Sequence, residues 1–78
     1  MAEKTGKRKR DVEKKYTAKQ FALKLRRLAD AIEKEEPFRI QVSGERLVIP
    51  PDAGISIEHE RSGAEEEVEF QLKWKRDE

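Results

Sequence analysis

The C-terminal part of the chain alternates apolar and polar residues without a break. Val68, Phe70, Leu72 and Trp74 each stand two residues apart, with single polar residues between them. Side chains of a strand point alternately to its two faces, so these four share one face. The pattern predicts an amphipathic strand, ending in the only tryptophan, whose apolar row covers the rest of the domain.

A helical pattern lies upstream, over about residues 18–35. Phe21, Leu25, Leu28 and Ile32 recur at steps of four, three and four, which is one face of an α-helix. The sequence therefore predicts an amphipathic helix that packs its apolar stripe on a sheet.

Both ends of this helix have sequence signals. Thr17 is a suitable N-cap, and Gln20 three residues later completes a capping box. Glu36-Pro37 ends the helix, because a residue before proline disfavours helical geometry. Leu23 lies nearly opposite the stripe. It is either an ordinary exposed leucine or the centre of a small helix–helix dimer interface.

Two hairpins are predicted after the helix. With Ser43-Gly44 as a two-residue loop, Phe38 faces Ile49 and Ile40 faces Leu47, so the large apolar residues share one face. After a linker at residues 50–54, which contains two prolines, a third strand pairs with the final one.

In the second hairpin, a Ser62-Gly63 loop places Ile57 opposite Val68 and His59 opposite Glu66. The predicted fold class is α+β. One N-terminal amphipathic helix packs on a four-stranded antiparallel sheet made of two β-hairpins, and the other face of the sheet is wet.

Charge divides the chain unevenly, although the total is only +1. Residues 1–15 carry seven Lys/Arg against three Asp/Glu and almost no large apolar residue, which predicts a disordered basic arm. Residues 16–76 are predicted to form a single α+β domain, followed by a charged tail at 77–78. A chain of this length forms one domain at most.

The order of these patterns resembles a known family. The helix reads Leu-x-x-Leu-Ala-Asp-Ala-Ile from Leu25 to Ile32, and short strands, a proline linker and an acidic strand lead to Trp74. From about Thr17 to Trp74 this resembles the amphi-Trp domain. The chain departs from the resemblance at Glu35-Glu36-Pro37, where a glycine would be expected after the helix. The resemblance implies this fold and no activity, substrate or cofactor.

Several classes of function are excluded or disfavoured. Without cysteine there is no disulfide, thiolate metal site or thiol catalysis. No apolar run approaches the ~20 residues of a membrane helix, and the basic N-terminus leads into no apolar segment, so a cytoplasmic protein is predicted. No membrane contact, cofactor or metal is expected.

Catalysis would have to use the only histidine. His59 beside Glu66 has the composition of a general base pair, but no obvious nucleophile lies nearby. The alternative is a partly exposed histidine with a charged neighbour, and this is the interpretation that we adopt. No catalytic residue is predicted.

An acidic strand face is the first candidate interaction surface. The predicted register places Glu58 opposite Glu67 and Glu60 opposite Glu65, with Glu69 on the same face. Like charges opposite one another destabilise a sheet. The face is either a solvated charge network, offset by arginines of the first hairpin (Arg39 and Arg46), or a docking surface for a basic protein partner. Divalent cations are disfavoured because the strand spacing splays the carboxylates.

The basic arm is the second candidate surface. Its candidate nucleic-acid contacts are Lys7, Arg8, Lys9, Arg10, Lys14 and Lys15. Such contacts would be non-specific and salt-sensitive, and no aromatic residue is interleaved for base stacking. The arm could instead be a solubilising terminus, or contact the acidic face of its own or another copy.

Together these features predict a small non-enzymatic interaction module acting through its charged surfaces. An unidentified protein is the expected partner, and the chain itself is expected to be a monomer or weak homodimer. The alternative is a nucleic-acid-binding accessory protein that uses the basic arm.

Overall fold

The structure, a computed structural model, describes residues 12–77. Its elements are α1 (Ala18–Glu33), β1 (Phe38–Val42), β2 (Glu45–Ile49), β3 (Gly54–Ser62) and β4 (Glu65–Lys73). The predicted α+β fold of one helix and two antiparallel hairpins is confirmed. The hairpins share no ladder, however, so the four strands form two separate sheets rather than one. Pro50 and Pro51 directly follow β2, and with no N–H to donate they cannot extend its pairing into β3.

Local hydrogen bonds define both ends of α1. The predicted capping box is present, with the Gln20 N–H donating to Thr17 Oγ1 over 3.2 Å and the Thr17 N–H to Gln20 Oε1 over 3.1 Å. At the other end, Glu36 N–H donates to Ala31 O and Glu35 N–H to Ile32 O, which is a Schellman motif. Glu35 adopts the left-handed conformation, with φ 56°, that glycine usually supplies at this position.

The register of the first hairpin is confirmed. Phe38 pairs with Ile49 and Ile40 with Leu47 around the Ser43-Gly44 loop. Both loop residues have positive φ, 49° and 83°, as a type I′ turn requires.

The predicted register of the second hairpin is wrong by two residues. Gly63-Ala64 forms the loop instead of Ser62-Gly63, so Ile57 pairs with Phe70 and His59 with Val68. Gly63, with φ 62°, takes the first loop position, where a type II′ turn requires glycine. A shift of two residues keeps every side chain on its face, so the apolar residues still meet one another.

The core is small and lies between the helix and the first hairpin. Among the described residues only Ala31, Phe38 and Ile49 are buried hydrophobics, with Leu28 and Leu72 packed against them. The helix contacts β1. A chain that buries so few residues has little hydrophobic stabilisation in reserve.

The expectation that the apolar row of β4 covers the domain is therefore wrong for most of its length. Only Leu72, at the inner end, reaches the core, while Val68 and Phe70 are 61% and 65% exposed. The β3–β4 hairpin has little contact with the helix, so most of its apolar row is not covered by α1. The helix stripe is left partly uncovered for the same reason, with Phe21 55% and Leu25 40% exposed.

Within the described residues, no helix combines the length and the apolar character needed to cross a membrane.

Candidate interaction surfaces

The inner face of the β3–β4 hairpin carries an apolar surface that is open to solvent, with His59, Arg61 and Glu66 at its outer end. Ile55, Ile57, Val68 and Phe70 form this apolar hairpin face, and each is between 61% and 66% exposed. Single exposed apolar residues are ordinary, but a contiguous group on one strand pair is typical of an interaction site.

This surface continues into a groove against the helix. The apolar groove has a volume of about 330 Å³, with helix residues on one side and hairpin residues on the other. Its apolar lining is formed by Leu28, Ile32, Ile55, Ile57, Phe70 and Leu72. None of the three buried core residues lines the groove, so it is an opening between two elements rather than a cavity inside the core.

The opposite face of the same hairpin is acidic, as predicted. Glu58 pairs with Glu69 and Glu60 with Glu67, while Glu65 lies on the same face beside the loop. These five glutamates form the acidic hairpin face. The predicted partners Glu58–Glu67 and Glu60–Glu65 are replaced because of the shifted register, but the predicted group remains together.

One neutral side chain links part of the acidic hairpin face. Gln71 Nε2 donates to Glu58 Oε1 over 2.8 Å and to Glu69 Oε1 over 3.3 Å. The negative charge of Glu67, followed by desolvation and the charge of Glu58, raises the pKa of Glu69 above its ordinary value. Repulsion between these carboxylates is therefore only partly relieved.

The expected arginine neighbours do not offset this repulsion. Within residues 12–77, no Lys or Arg forms a salt bridge with the five glutamates, and Arg39 and Arg46 lie in a different cleft. The prediction of an offsetting arginine pair fails because it assumed a single sheet carrying both hairpins.

His59 contacts Glu66, although the two are not paired across the strands. His59 Nε2 lies 3.1 Å from Glu66 Oε2, and Arg61 Nε donates to the same oxygen over 2.8 Å. The His59 and Glu66 side chains are 50% and 54% exposed. A catalytic base is usually held in an enclosed site, whereas this carboxylate is shared by two donors on an open ribbon.

A basic cleft lies between the helix and the first hairpin. It is about 520 Å³ in volume, and its cationic lining consists of Lys24, Arg27, Arg39 and Arg46. Arg27 is held in place there, since its Nη2 donates to Arg39 O over 3.2 Å and its guanidinium lies 5.5 Å from the centre of the Phe38 ring. None of the four cations forms a salt bridge with a carboxylate of the described residues.

The sequence pattern does not predict this cleft. Its four cations come from the helix and from both strands of the first hairpin, and the pattern pointed to Arg39 and Arg46 only as neighbours of the acidic strand face. The available signal was that all four lie outside the apolar stripe or apolar strand face of their elements, but the angle between helix and hairpin is not evident from the sequence.

The basic arm joins the domain next to the basic cleft. Lys14 and Lys15 are exposed and have no regular secondary structure. Tyr16 follows them, with the Lys24 Nζ atom 5.1 Å from its ring centre. The remaining predicted contacts of the arm, Lys7 to Arg10, lie outside the described residues.

Trp74 follows β4 at the edge of the core rather than inside it. The residue is 36% exposed and lines a shallow groove with Val48, Pro50 and Asp52. In the described part of the chain, no group of three or more His, Asp or Glu side chains is placed to hold a metal ion.

Comparison with known proteins identifies one family. The family model of the Amphi-Trp domain matches residues 2–78. No curated protein and no solved structure matches the chain.

Proposed function

The chain belongs to the Amphi-Trp domain family, and we propose that it is a small non-enzymatic interaction module that uses the β3–β4 hairpin as its contact element. One observation carries the proposal. The two faces of the hairpin, one apolar and one acidic, are both open to solvent over most of its nine-residue strands.

The hairpin contributes little to the folded core, which supports a role outside it. Leu72 packs against the core, whereas the apolar hairpin face remains exposed. Burying an apolar side chain of this size stabilises a protein by about 1.5–3 kcal/mol. A partner that covers this face gains this stabilisation at several positions.

The acidic hairpin face would select a basic partner. Its glutamates have no intramolecular cation within the described residues, so an incoming Lys or Arg would relieve an existing repulsion. In this proposal the apolar hairpin face supplies affinity, and the acidic hairpin face supplies orientation and discrimination.

Site-specific photo-crosslinking in cells that express the protein tests this function. A benzoylphenylalanine replaces Phe70 on the apolar hairpin face or Glu67 on the acidic hairpin face. Val48, on the first hairpin and 53% exposed, is the matched control. Adducts of discrete mass at positions 70 and 67, and none at 48, are expected. Absence of adducts at both hairpin positions would contradict the proposal. Fractionation of the same cells tests the predicted cytoplasmic location.

Nucleic-acid binding is the second candidate function, favoured by the position of the basic cleft. The arm enters the domain through Lys14, Lys15 and Tyr16, and Tyr16 contacts Lys24 of the cleft. Arm and cleft would then neutralise phosphates as one surface.

Fluorescence anisotropy with labelled duplex DNA and single-stranded RNA tests this alternative. For a surface that contacts six or more phosphates, affinity should fall about 10³-fold or more between ~50 and ~200 mM salt. Replacing Lys7, Arg8, Lys9 and Arg10 with glutamine, or Arg39 and Arg46 with glutamine, should weaken binding. The control replaces Lys75 and Arg76. Equal binding by all variants would exclude this surface.

A further inference from the structure

We propose that a second copy of this chain covers the apolar hairpin face, in a two-fold dimer where this face of each hairpin lies across the N-terminal half of the other copy's helix. This inference rests on the proposed function, because it names the partner of the same hairpin. The inference is based on one observation. The helix and the hairpin each expose an apolar surface that a single copy leaves uncovered.

The apolar surfaces are the right size for such a dimer. The uncovered part of α1 carries Phe21 and Leu25, 55% and 40% exposed, and the apolar hairpin face adds four residues above 60%. Together with Ile32 they expose apolar area on the order of 700 Å² per copy, close to the ~800 Å² that each partner buries in a standard interface.

The charges of the two elements are complementary between copies. Residues 18–29 of α1 carry four Lys/Arg and no acid, a net charge of +4. Residues 58–69 of the hairpin carry six Glu and one Arg, a net charge of −5. In a reciprocal arrangement each hairpin attracts the other copy's helix, so the attraction acts twice. Five of the six glutamates lie on the acidic hairpin face, behind the apolar contact, so their charge acts through the thin ribbon as a field rather than as contact pairs.

The N-terminal arm is a poor alternative occupant. Residues 1–15 contain seven Lys/Arg, and Val12 is their only β-branched or aromatic apolar residue. A segment of this composition cannot replace water along a row of isoleucine, valine and phenylalanine side chains. It is better suited to the acidic hairpin face on the other side of the ribbon.

Light scattering after size-exclusion chromatography, with sedimentation velocity, tests the dimer on the full chain. The mass should rise from 9.1 kDa toward twice that value as concentration increases. Changing Ile57 and Phe70 to serine should weaken dimerisation at least about tenfold. Val48→Ser, at a residue 53% exposed on the first hairpin, is the matched control and should preserve the dimer. Changing Glu58 and Glu69 to serine removes charge from the acidic hairpin face and should weaken the dimer less than the Ile57/Phe70 change does.

A second pair of variants tests the helix side. Phe21→Ser should weaken the dimer comparably, whereas Leu23→Ser, at 57% exposure on the opposite helix face, should not. Circular dichroism verifies that each variant folds. The three altered side chains on the apolar surfaces, and Leu23, are exposed within one copy, so folding is expected to persist.

Three results would overturn the inference. A wild-type chain that remains monomeric up to about 200 µM excludes the second copy. If the dimer is lost only in the Leu23 variant, its interface is the outer face of the helix. If the dimer is lost only in the Glu58/Glu69 variant, its interface is formed by the arm and the acidic hairpin face. Crosslinked adducts at positions 70 and 67 whose mass is not that of two copies would still support the proposed interaction module.

Discussion

At the residue scale, single side chains occupy positions where a different residue type would be more favourable. Glu35 has φ 56° in the Schellman motif that ends α1. The left-handed conformation brings the Cβ of an L-residue close to its carbonyl oxygen, and glycine avoids this clash. The sequence indicated the anomaly, since a glycine was expected after the helix, and the structure locates it at one backbone angle.

Glu35→Gly should raise the free energy of unfolding by about 1 kcal/mol, because it removes this clash. Urea denaturation followed by far-UV circular dichroism measures the change. Glu36→Gly is the control, since Glu36 has no positive φ and should gain nothing. Equal effects of the two substitutions would show that the clash is not the cause.

The raised pKa of Glu69 determines how this residue changes the stability of the folded protein with pH. Because the folded-state pKa lies above 4.5, the folded protein holds this proton where the unfolded chain has lost it. The contribution of Glu69 to stability is therefore greatest below pH 4.5 and falls as pH rises through the folded-state pKa. This direction is opposite to that of a carboxylate in a salt bridge.

Glu67→Gln removes the largest cause and should lower the pKa of Glu69 toward its ordinary value. The melting temperature at neutral pH should rise, because the substitution removes the repulsion between the ionised Glu67 and Glu69 carboxylates. Carbon-detected NMR titration of the carboxyl groups and thermal melts check both results. Glu33→Gln on the helix should leave the pKa of Glu69 unchanged.

Trp74 is a boundary residue, and its substitution measures how much of the ring is buried. With 36% of the residue exposed, Trp74→Ala should lower the free energy of unfolding by about 2 kcal/mol. Urea titration monitored by far-UV circular dichroism is suitable, since the variant lacks the fluorophore. A change below about 0.5 kcal/mol is typical of surface substitutions and would show that the ring does not contribute to the core.

At the element scale, each hairpin depends on the chemistry of its loop. Ser43-Gly44 could be assigned from the sequence because both loop residues tolerate positive φ and the apolar partners then coincide. Around Gly63 the pattern allowed two registers, with glycine either second or first in the loop. Ile57 meets an apolar partner in both, Val68 or Phe70, so periodicity could not separate them.

Gly63→Ala should weaken the second hairpin by about 1–2 kcal/mol, because its φ of 62° is unfavourable for alanine. No neighbour obstructs the new methyl group, so conformation alone is tested. Gly54→Ala is the matched control in the same hairpin. It lacks a positive φ, and its Cβ would lie 3.8 Å from Lys73 O, an ordinary contact.

Amide hydrogen exchange of β3 and β4 reports this change directly, since the ribbon can open without unfolding the core. Faster exchange in the Gly63 variant and unchanged exchange in the Gly54 variant are expected. Similar exchange in both variants would contradict the assigned loop.

At the scale of the whole molecule, the amphipathic faces could be predicted, but what covers them could not. Periodicity places Phe21 and Phe70 on apolar faces, and the structure agrees on those faces. Their burial depends on where the linker sends β3–β4, and two prolines without ladder hydrogen bonds leave that direction unspecified by any pattern. The basic cleft was missed for the same reason, since it exists only once helix and hairpin are oriented.

The dimer would supply the hydrophobic stabilisation that the three-residue core lacks. The melting temperature should therefore rise with protein concentration between about 5 and 200 µM, since association stabilises the folded state by mass action. Calorimetry at several concentrations checks this, with the Ile57/Phe70 serine variant as control. A melting temperature that does not depend on concentration in the wild type would contradict the coupling of folding to association.

The long strands of β3–β4 have a further consequence for solubility. In the described part of the chain both outer edges of this ribbon lack a neighbouring strand, and such edges can template the growth of open-ended fibres. A further ribbon joining either edge in register would place glutamate rows beside glutamate rows. The mutual repulsion of the acidic hairpin face thus limits stacking while its carboxylates are ionised, and acidification removes this protection.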